Sequence, residues 1–171
     1  YYKFVSYSGT WDEAYTHSVN NQQAVAGRSV QGWMATVGSE GENAWITRYL
    51  DADAWLGARD DGADTPANEG DWRWVTPSDD LAGDLFFVQN DPPYSGGGTV
   101  QSGYFANWSS GEPNDYLNGS PGEDCAQFYA SSSERLDPAV TFGGVDLDSS
   151  AYWNDLPCDS SSLSGYIWEY R

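Results

Sequence analysis

Glu112-Pro113-Asn114 is followed along this chain by Glu123-Asp124-Cys125 and then by Trp153-Asn154-Asp155. Each short segment offers carboxylate or amide oxygens beside a rigid turn or a cysteine. That donor set suits a hard cation such as Ca²⁺, which takes about 6–8 oxygen ligands. It suits a sugar as well. A Ca²⁺ with unfilled positions can bind two neighbouring hydroxyls while the same Glu and Asn side chains hydrogen-bond them. Taken alone, Glu112-Pro113-Asn114 reads as a surface turn. The three segments in this order outweigh that reading.

Outward from these segments, the chain reads as one domain spanning residues 1–171. A chain of this size buries about two-thirds of its unfolded surface. Nine Trp and twelve Tyr supply most of the material for a core. The net charge is −19, with only seven Lys and Arg. Phosphate backbones and anionic membranes would be repelled, which sets aside nucleic acid as a partner. No apolar run reaches the roughly 18 residues that span a bilayer, so direct membrane insertion is not expected. The chain starts at Tyr1 without an apolar leader and reads as a mature domain or a piece of a larger protein. The acidic excess fits a salty environment, a calcium store, or both.

Thr10-Trp11-Asp12-Glu13 has the capping-box pattern. Trp11, Ala14, Tyr15, Ser18 and Val19 follow at helical spacing, which predicts a helix over 11–26. Ser39-Glu40-Gly41-Glu42 repeats the box, and Trp45, Ile46, Tyr49 and Leu50 form one stripe of a second helix ending near residue 50. Thereafter short strand candidates at 54–57, 72–76, 126–129 and 166–170 are split by Gly, Pro, Asn, Asp and Ser clusters. Segments 94–98, 131–133 and 160–164 read as loops. Two early helices followed by short strands predict an α+β fold.

At these residues the chain resembles a C-type lectin domain of the mannose-type class. Tyr1-Tyr2-Lys3-Phe4 with Thr10-Trp11-Asp12-Glu13-Ala14 is similar to that family's first strand and helix. Ala54-Trp55-Leu56-Gly57 is similar to its "WIGL" strand, and Glu69-Gly70-Asp71-Trp72-Arg73-Trp74 to its "EGxFxW" segment. Ser164-Gly165-Tyr166-Ile167-Trp168-Glu169-Tyr170 is similar to its closing strand. Cys125 and Cys158 match the family's inner disulfide. The outer pair is missing, and Trp168 stands about where the last family cysteine would fall. Stretches at 81–103, between Cys125 and Trp153, and between Glu112 and Glu123 look inserted.

The resemblance implies a sugar-site Ca²⁺ held by Glu112, Asn114, Glu123, Asn154 and Asp155, with the Asp155 backbone carbonyl added. Glu112, Asn114, Glu123 and Asn154 would also hydrogen-bond the sugar. Pro113 would follow a cis peptide bond that aims the Glu112 and Asn114 oxygens at one point. Trp153 would pack beneath the site rather than stack on the sugar, and Trp108 would be structural. Asp60, Glu69, Asp115 and Asp124 match an auxiliary Ca²⁺ site, with Glu123 bridging; Asp61 or Asp64 could replace Asp60. The seven carboxylates of both sites would repel one another when bare. Two Ca²⁺ would reduce their sum to about −3.

Other chemistries fit less well. Zinc needs Cys or His ligands, and the one histidine, His17, sits mid-helix as a polar-face residue. A Ser-His-Asp triad would have to use His17 without any nucleophile-elbow motif. The segment 60–71 places Gly62 at loop position 3 and Asp71 at position 12, which rules out an EF-hand. A glycosidase needs two flanking carboxylates, but the family is a binding module, so no enzyme is expected. The expected function is Ca²⁺-dependent binding of mannose-, fucose- or glucose-type sugars on cell-surface glycans. The expected setting is extracellular, as a domain of a larger secreted protein such as a bacterial calcium-dependent adhesin. The alternative is a lectin-like domain that holds protein or ice through its loops.

Overall fold

A computed structural model of the chain describes residues 1–60, 69–77, 83–90, 96–116, 122–130, 141–142, 145–146 and 152–170. The elements run β1 (Tyr2–Ser6), α1 (Trp11–Asn20), β2 (Gln23–Val25), β3 (Arg28–Val30), β4 (Trp33–Met34), α2 (Glu40–Thr47) and β5 (Ala54–Asp60). Then follow β6 (Asp71–Trp74), β7 (Leu85–Gln89), β8 (Gly98–Val100), β9 (Cys125–Phe128), β10 (Thr141–Phe142), β11 (Val145–Asp146), β12 (Trp153–Leu156) and β13 (Gly165–Glu169). The main sheet has the order β1-β13-β5-β6-β7-β8, with β9 bridging β5 to β12 and β4 paired to β13. β13 pairs β5 in parallel; the other pairings are antiparallel. The α+β expectation therefore holds. Among the described residues no helix is long and apolar enough to cross a membrane.

Strand alternation sorts the aromatics onto two faces. On β13, Ile167 joins Leu56, Phe86, Phe128 and Trp153 in one core, with Ile46 and Leu50 from the α2 region. Tyr166 and Trp168 point the other way and join Trp11, Met34, Trp55 and Cys125 under α1. The disulfide Cys125–Cys158 is formed, with its Cα atoms 5.1 Å apart. The Cys158 carbonyl accepts the Trp11 N–H at 2.9 Å, which ties the bridge to the start of α1.

Both N-caps form where the sequence places them. Thr10 Oγ1 accepts from Glu13 N, and the Glu13 carboxylate accepts from Thr10 N at 3.0 Å. Ser39 accepts from Glu42 N at 3.2 Å, while Glu42 Oε2 reaches back one residue further, to Gly38 N at 2.5 Å. Other expectations need correction. α1 ends at Asn20, not near 26: Asn21 already has extended backbone (φ −98°, ψ 102°), and Gln23–Val25 pairs as β2 in a hairpin whose turn is Ala26 (φ 50°) and Gly27 (φ 77°). A two-residue turn with both φ positive suits the twist of a hairpin; alanine seldom takes that conformation, so the signal was weak. After Thr47 the chain continues to Leu50 in tighter i→i−3 turns. The α2 stripe splits: Ile46 and Leu50 are buried, but Trp45 and Tyr49 are exposed and pack edge-on against each other. His17 is not a free polar-face residue. It is half-buried, stacked on Tyr7 at 4.5 Å, with Nδ1 2.9 Å from the Tyr166 hydroxyl. The 81–103 stretch contributes two sheet strands, β7 and β8. The loop expected at 131–133 and residues 94–95 of the loop expected at 94–98 lie outside the described residues.

Candidate functional site

β12 builds the site from below. Its partner β9 sets the register, with Asn154 opposite Gln127 and Asp155 opposite Ala126. Trp153 is fully buried, and its indole N–H donates to Asn43 Oδ1 at 2.8 Å. Its ring meets Trp74, Phe86, Phe105, Trp108 and Phe128 edge-on. It is a pillar with no face left for a sugar. Trp108 packs between Trp72, Phe87 and Trp153 and is structural too. The Trp153 backbone holds the incoming loop through Trp153 N to Asn107 O and Ser109 N to Trp153 O, both 2.9 Å. Ser109 O in turn accepts Glu112 N at 3.0 Å, so the turn into Glu112 rests on β12.

Asp155 joins the segments. Its Oδ2 accepts the backbone N–H of Asn114 at 2.8 Å and of Asp115 at 2.7 Å. The Glu112–Pro113 bond between them and the loop is cis, as expected. Asn114 Nδ2 donates to Glu112 Oε2, which leaves the Asn114 amide oxygen as an acceptor. Asp115 Oδ1 accepts Glu123 N at 2.9 Å, and Glu123 Oε2 accepts Tyr116 N at 3.0 Å. Asn154 Nδ2 donates to the Asp155 carbonyl. The structure thus brings Glu112, Asn114, Glu123, Asn154 and Asp155 into one connected group.

This group is short of positive charge. Asn114 Oδ1 and Asp155 Oδ1 are buried acceptors without an N–H or hydroxyl partner, and the Glu112 carboxyl lies within hydrogen-bonding reach of the Asp155 carboxylate. Such orphaned oxygens are rare and costly unless something else satisfies them. Burial, reinforced by Asp155 and Glu123, pushes the Glu112 carboxyl up to about 8, against a smaller downward pull from the Asn114 amide. Burial and Asp155 likewise push Glu123 up to about 7. Burial also raises Asp155, although several hydrogen bonds pull it the other way. Carboxylates that repel one another around unpartnered oxygens fit a hard divalent cation.

A second group lies beside the first. Asp60, Glu69 and Asp124 each present a carboxylate oxygen within 4.8 Å of the others. Asp60 is buried; its Oδ2 accepts Gly70 N at 2.6 Å, and its own N–H donates to the Asp124 carbonyl at 2.8 Å. Asp115 approaches from the other side. A Cβ built on Gly122 would lie 2.1 Å from Asp115 Oδ1 and 3.4 Å from Asp124 Oδ1. Asp115 is hydrogen-bonded into the first group through Glu123 N; the close cluster of the second group comprises Asp60, Glu69 and Asp124 without it. Asp61 and Asp64, the alternatives to Asp60, lie outside the described residues.

The sequence reading missed Gln89 and Gly97. Gln89 Nε2 donates to the Pro113 carbonyl at 2.9 Å, and Gly97 N donates to the Glu112 carbonyl at 3.1 Å. Nothing in the local sequence marks either residue, because the contacts are long-range.

No protein-family model matches the chain. It is 32% identical over 170 residues to halomucin of Haloquadratum walsbyi, covering 99% of this chain and 1% of that protein. It is 24% identical over 146 residues to a perlucin-like protein of Mytilus galloprovincialis, covering 82% of this chain and 62% of that protein. The chain therefore spans less than two-thirds of either relative. Among solved structures, the mouse scavenger receptor C-type lectin carbohydrate-recognition domain superposes with a TM-score of 0.57 at 20% identity, over 99% of this chain and 88% of that one. The cow CD23 C-type carbohydrate-recognition domain, solved in the presence of an oligosaccharide, gives 0.56 at 21% identity, over 98% and 84%. A calcium-independent type II antifreeze protein gives 0.52 at 20% identity, over 98% and 82%. The chain has the C-type lectin fold.

Proposed function

We propose that this chain is a Ca²⁺-dependent sugar-binding module, not an enzyme, that takes mannose-, fucose- or glucose-type vicinal diols. The observation that carries this reading is the pair of buried, unpartnered oxygens on Asn114 and Asp155, set among carboxyls pushed upward by burial and mutual repulsion. Glu112, Asn114, Glu123, Asn154 and Asp155 would hold the sugar-site ion. When bound, the ion supplies about two open coordination positions to neighbouring hydroxyls. Glu112 and Glu123 would accept from those hydroxyls, and the Asn114 and Asn154 amides would donate to them. Asp60, Glu69, Asp115 and Asp124 would hold a second ion.

The net charge of −19 and the likeness to halomucin support a setting in a large secreted protein of a salty habitat. There the module would bind glycans at a cell surface, as an adhesin does. The ice- or protein-binding alternative has the fold of the antifreeze protein on its side. It gives no reason for a buried group of unpartnered acidic and amide oxygens. A glycan array probed with Ca²⁺ and again in EDTA separates the two. Mannose- or fucose-type signals that vanish in EDTA support the proposal. A blank array in Ca²⁺, or signals unchanged by EDTA, contradicts it.

A further inference from the structure

Gln89 closes β7 at a point where three backbones meet. Its N–H donates to the Gly70 carbonyl at 2.8 Å. Gly70 has φ +89°, and a Cβ built there would lie 2.9 Å from Gln89 Cβ, so a side chain would force the two apart. The Gly70 N–H, on the other side of the same residue, donates to Asp60 Oδ2 at 2.6 Å. The Gln89 side chain reaches the opposite way, where Nε2 donates to the Pro113 carbonyl at 2.9 Å. Pro113 is buried between Glu112 and Asn114. The β7–β8 hairpin adds Gly97 N to Glu112 O at 3.1 Å. It also brings Gly96 so near that a Cβ there would lie 1.9 Å from the Gly111 carbonyl.

One residue therefore spans the two acidic groups. Read outward, the line runs from the Asp60 carboxylate to Gly70 N, from Gly70 O to Gln89 N, and from Gln89 Nε2 to Pro113 O. We propose that Gln89 is a positioning residue that couples the Asp60-Glu69-Asp124 group to Glu112-Pro113-Asn114, so that filling the first tightens the second. This rests on the Ca²⁺-binding reading above. A cation at Asp60 and Glu69 fixes the turn that carries Gly70. Gly70 fixes the Gln89 backbone, and the Gln89 amide then holds the Pro113 carbonyl so that Glu112 and Asn114 keep their aim. Coupling of this kind is reciprocal: sugar-site occupancy strengthens binding at the second group by the same factor.

The test compares wild type, Gln89→Met, Asp124→Asn and the double variant. Methionine keeps the length and removes the donor. Gln101→Met is the control, since among the described residues Gln101 Nε2 donates to the nearby Thr99 carbonyl, at 3.1 Å. Calcium is titrated calorimetrically, and amide exchange at Asn114 and Asp115 is followed in the metal-free proteins. The expected result is sugar-site calcium affinity about two- to tenfold weaker in Gln89→Met, the worth of one hydrogen bond. Asn114 and Asp115 amides exchange faster in that variant. Asp124→Asn weakens the sugar site in wild type but adds nothing in the Gln89→Met background. The control behaves as wild type. Additive effects of the two substitutions overturn the coupling. A lower melting temperature with unchanged calcium affinity and amide exchange shows a merely structural glutamine. Wild type that binds no calcium contradicts the proposed function itself, and is seen before any variant is compared.

Discussion

The carboxylate of Asp155 holds the backbone N–H of Asn114 at 2.8 Å, across 41 positions of sequence. A group expected to bind metal through one oxygen thus uses the other to dock the loop that carries its fellow ligands. Asp155→Asn replaces that second acceptor with a donor or leaves the loop amides of Asn114 and Asp115 facing a weaker partner. It also removes one charge from the cluster. The metal-free variant should lose less than the roughly 1–3 kcal/mol that a charged hydrogen-bond acceptor usually contributes, because relief of carboxylate repulsion with Glu112 and Glu123 offsets part of it. Calcium affinity should fall by at least tenfold. Thermal melting in EDTA and calorimetry in calcium check the two parts. An Asp155→Asn variant with wild-type calcium affinity contradicts its place among the ligands.

Proton linkage follows from the raised carboxyls. Glu112 and Glu123 sit at about 8 and about 7, above their ordinary range. An acid raised on folding adds stability that is complete below its unfolded pKa and is lost as pH climbs through its folded value. Metal-free protein should therefore melt lower at pH 8.5 than at pH 5, measured in high salt to screen general repulsion. Calcium should restore the loss at pH 8.5. Calcium binding near pH 7 should release protons, read from the dependence of the heat on buffer. Acid should release the bound ligand, because protonated carboxylates lose their affinity for metal. Binding without proton release contradicts the protonation states inferred for the cluster.

Sugar preference should follow donor and acceptor order at the Glu112–Asn114 pair. Asn114 Nδ2 donates to Glu112 Oε2, so the two side chains already occupy complementary roles. Glu112→Gln with Asn114→Asp exchanges those roles; by resemblance to C-type lectins, whose galactose binders carry Gln-Pro-Asp there, the double variant should move preference from the proposed mannose-type toward galactose-type sugars. Titrating both sugars into the double variant gives the answer. An unchanged preference means that the surrounding loops set selectivity.

The disulfide should matter beyond fold stability. Cys125–Cys158 closes a separation of 33 positions, for which chain entropy gives roughly 3–4 kcal/mol. Cys125 directly follows Glu123-Asp124 and faces Leu156 across β9–β12, one residue after Asp155. The Cys125→Ala, Cys158→Ala variant should bind calcium more weakly as well as melt lower. Free thiols in the native protein, read by intact mass with and without reductant, contradict the bond. Unchanged calcium affinity in the variant contradicts its role in holding the site.

That the three segments of the site would come together was legible because their oxygen donors sit in short contiguous stretches. Glu112-Pro113-Asn114, Glu123-Asp124-Cys125 and Trp153-Asn154-Asp155 carry carboxylate and amide oxygens in fixed order, and the capping pattern at Thr10–Glu13 marks a helix start. What was not legible depends on register and on distant contacts. The docking role of Asp155 requires β12 to lie against β9 in one register. Gln89 gains meaning only when β7 places it between Gly70 and Pro113. The early end of α1 turned on Asn21 leaving helical backbone and on Gln23–Val25 pairing with β3. The split of the α2 stripe turned on which side of the helix the sheet covers, and four apolar residues at helical spacing do not say that.

The most direct measurement titrates a simple mannoside or fucoside into metal-free and calcium-loaded protein by calorimetry. Saturable binding is expected with calcium present, none in the metal-free protein, and full reversal on adding EDTA. Binding of equal strength without calcium, or none with it, would contradict a site in which the ion held by Asp155 and its neighbours carries the sugar.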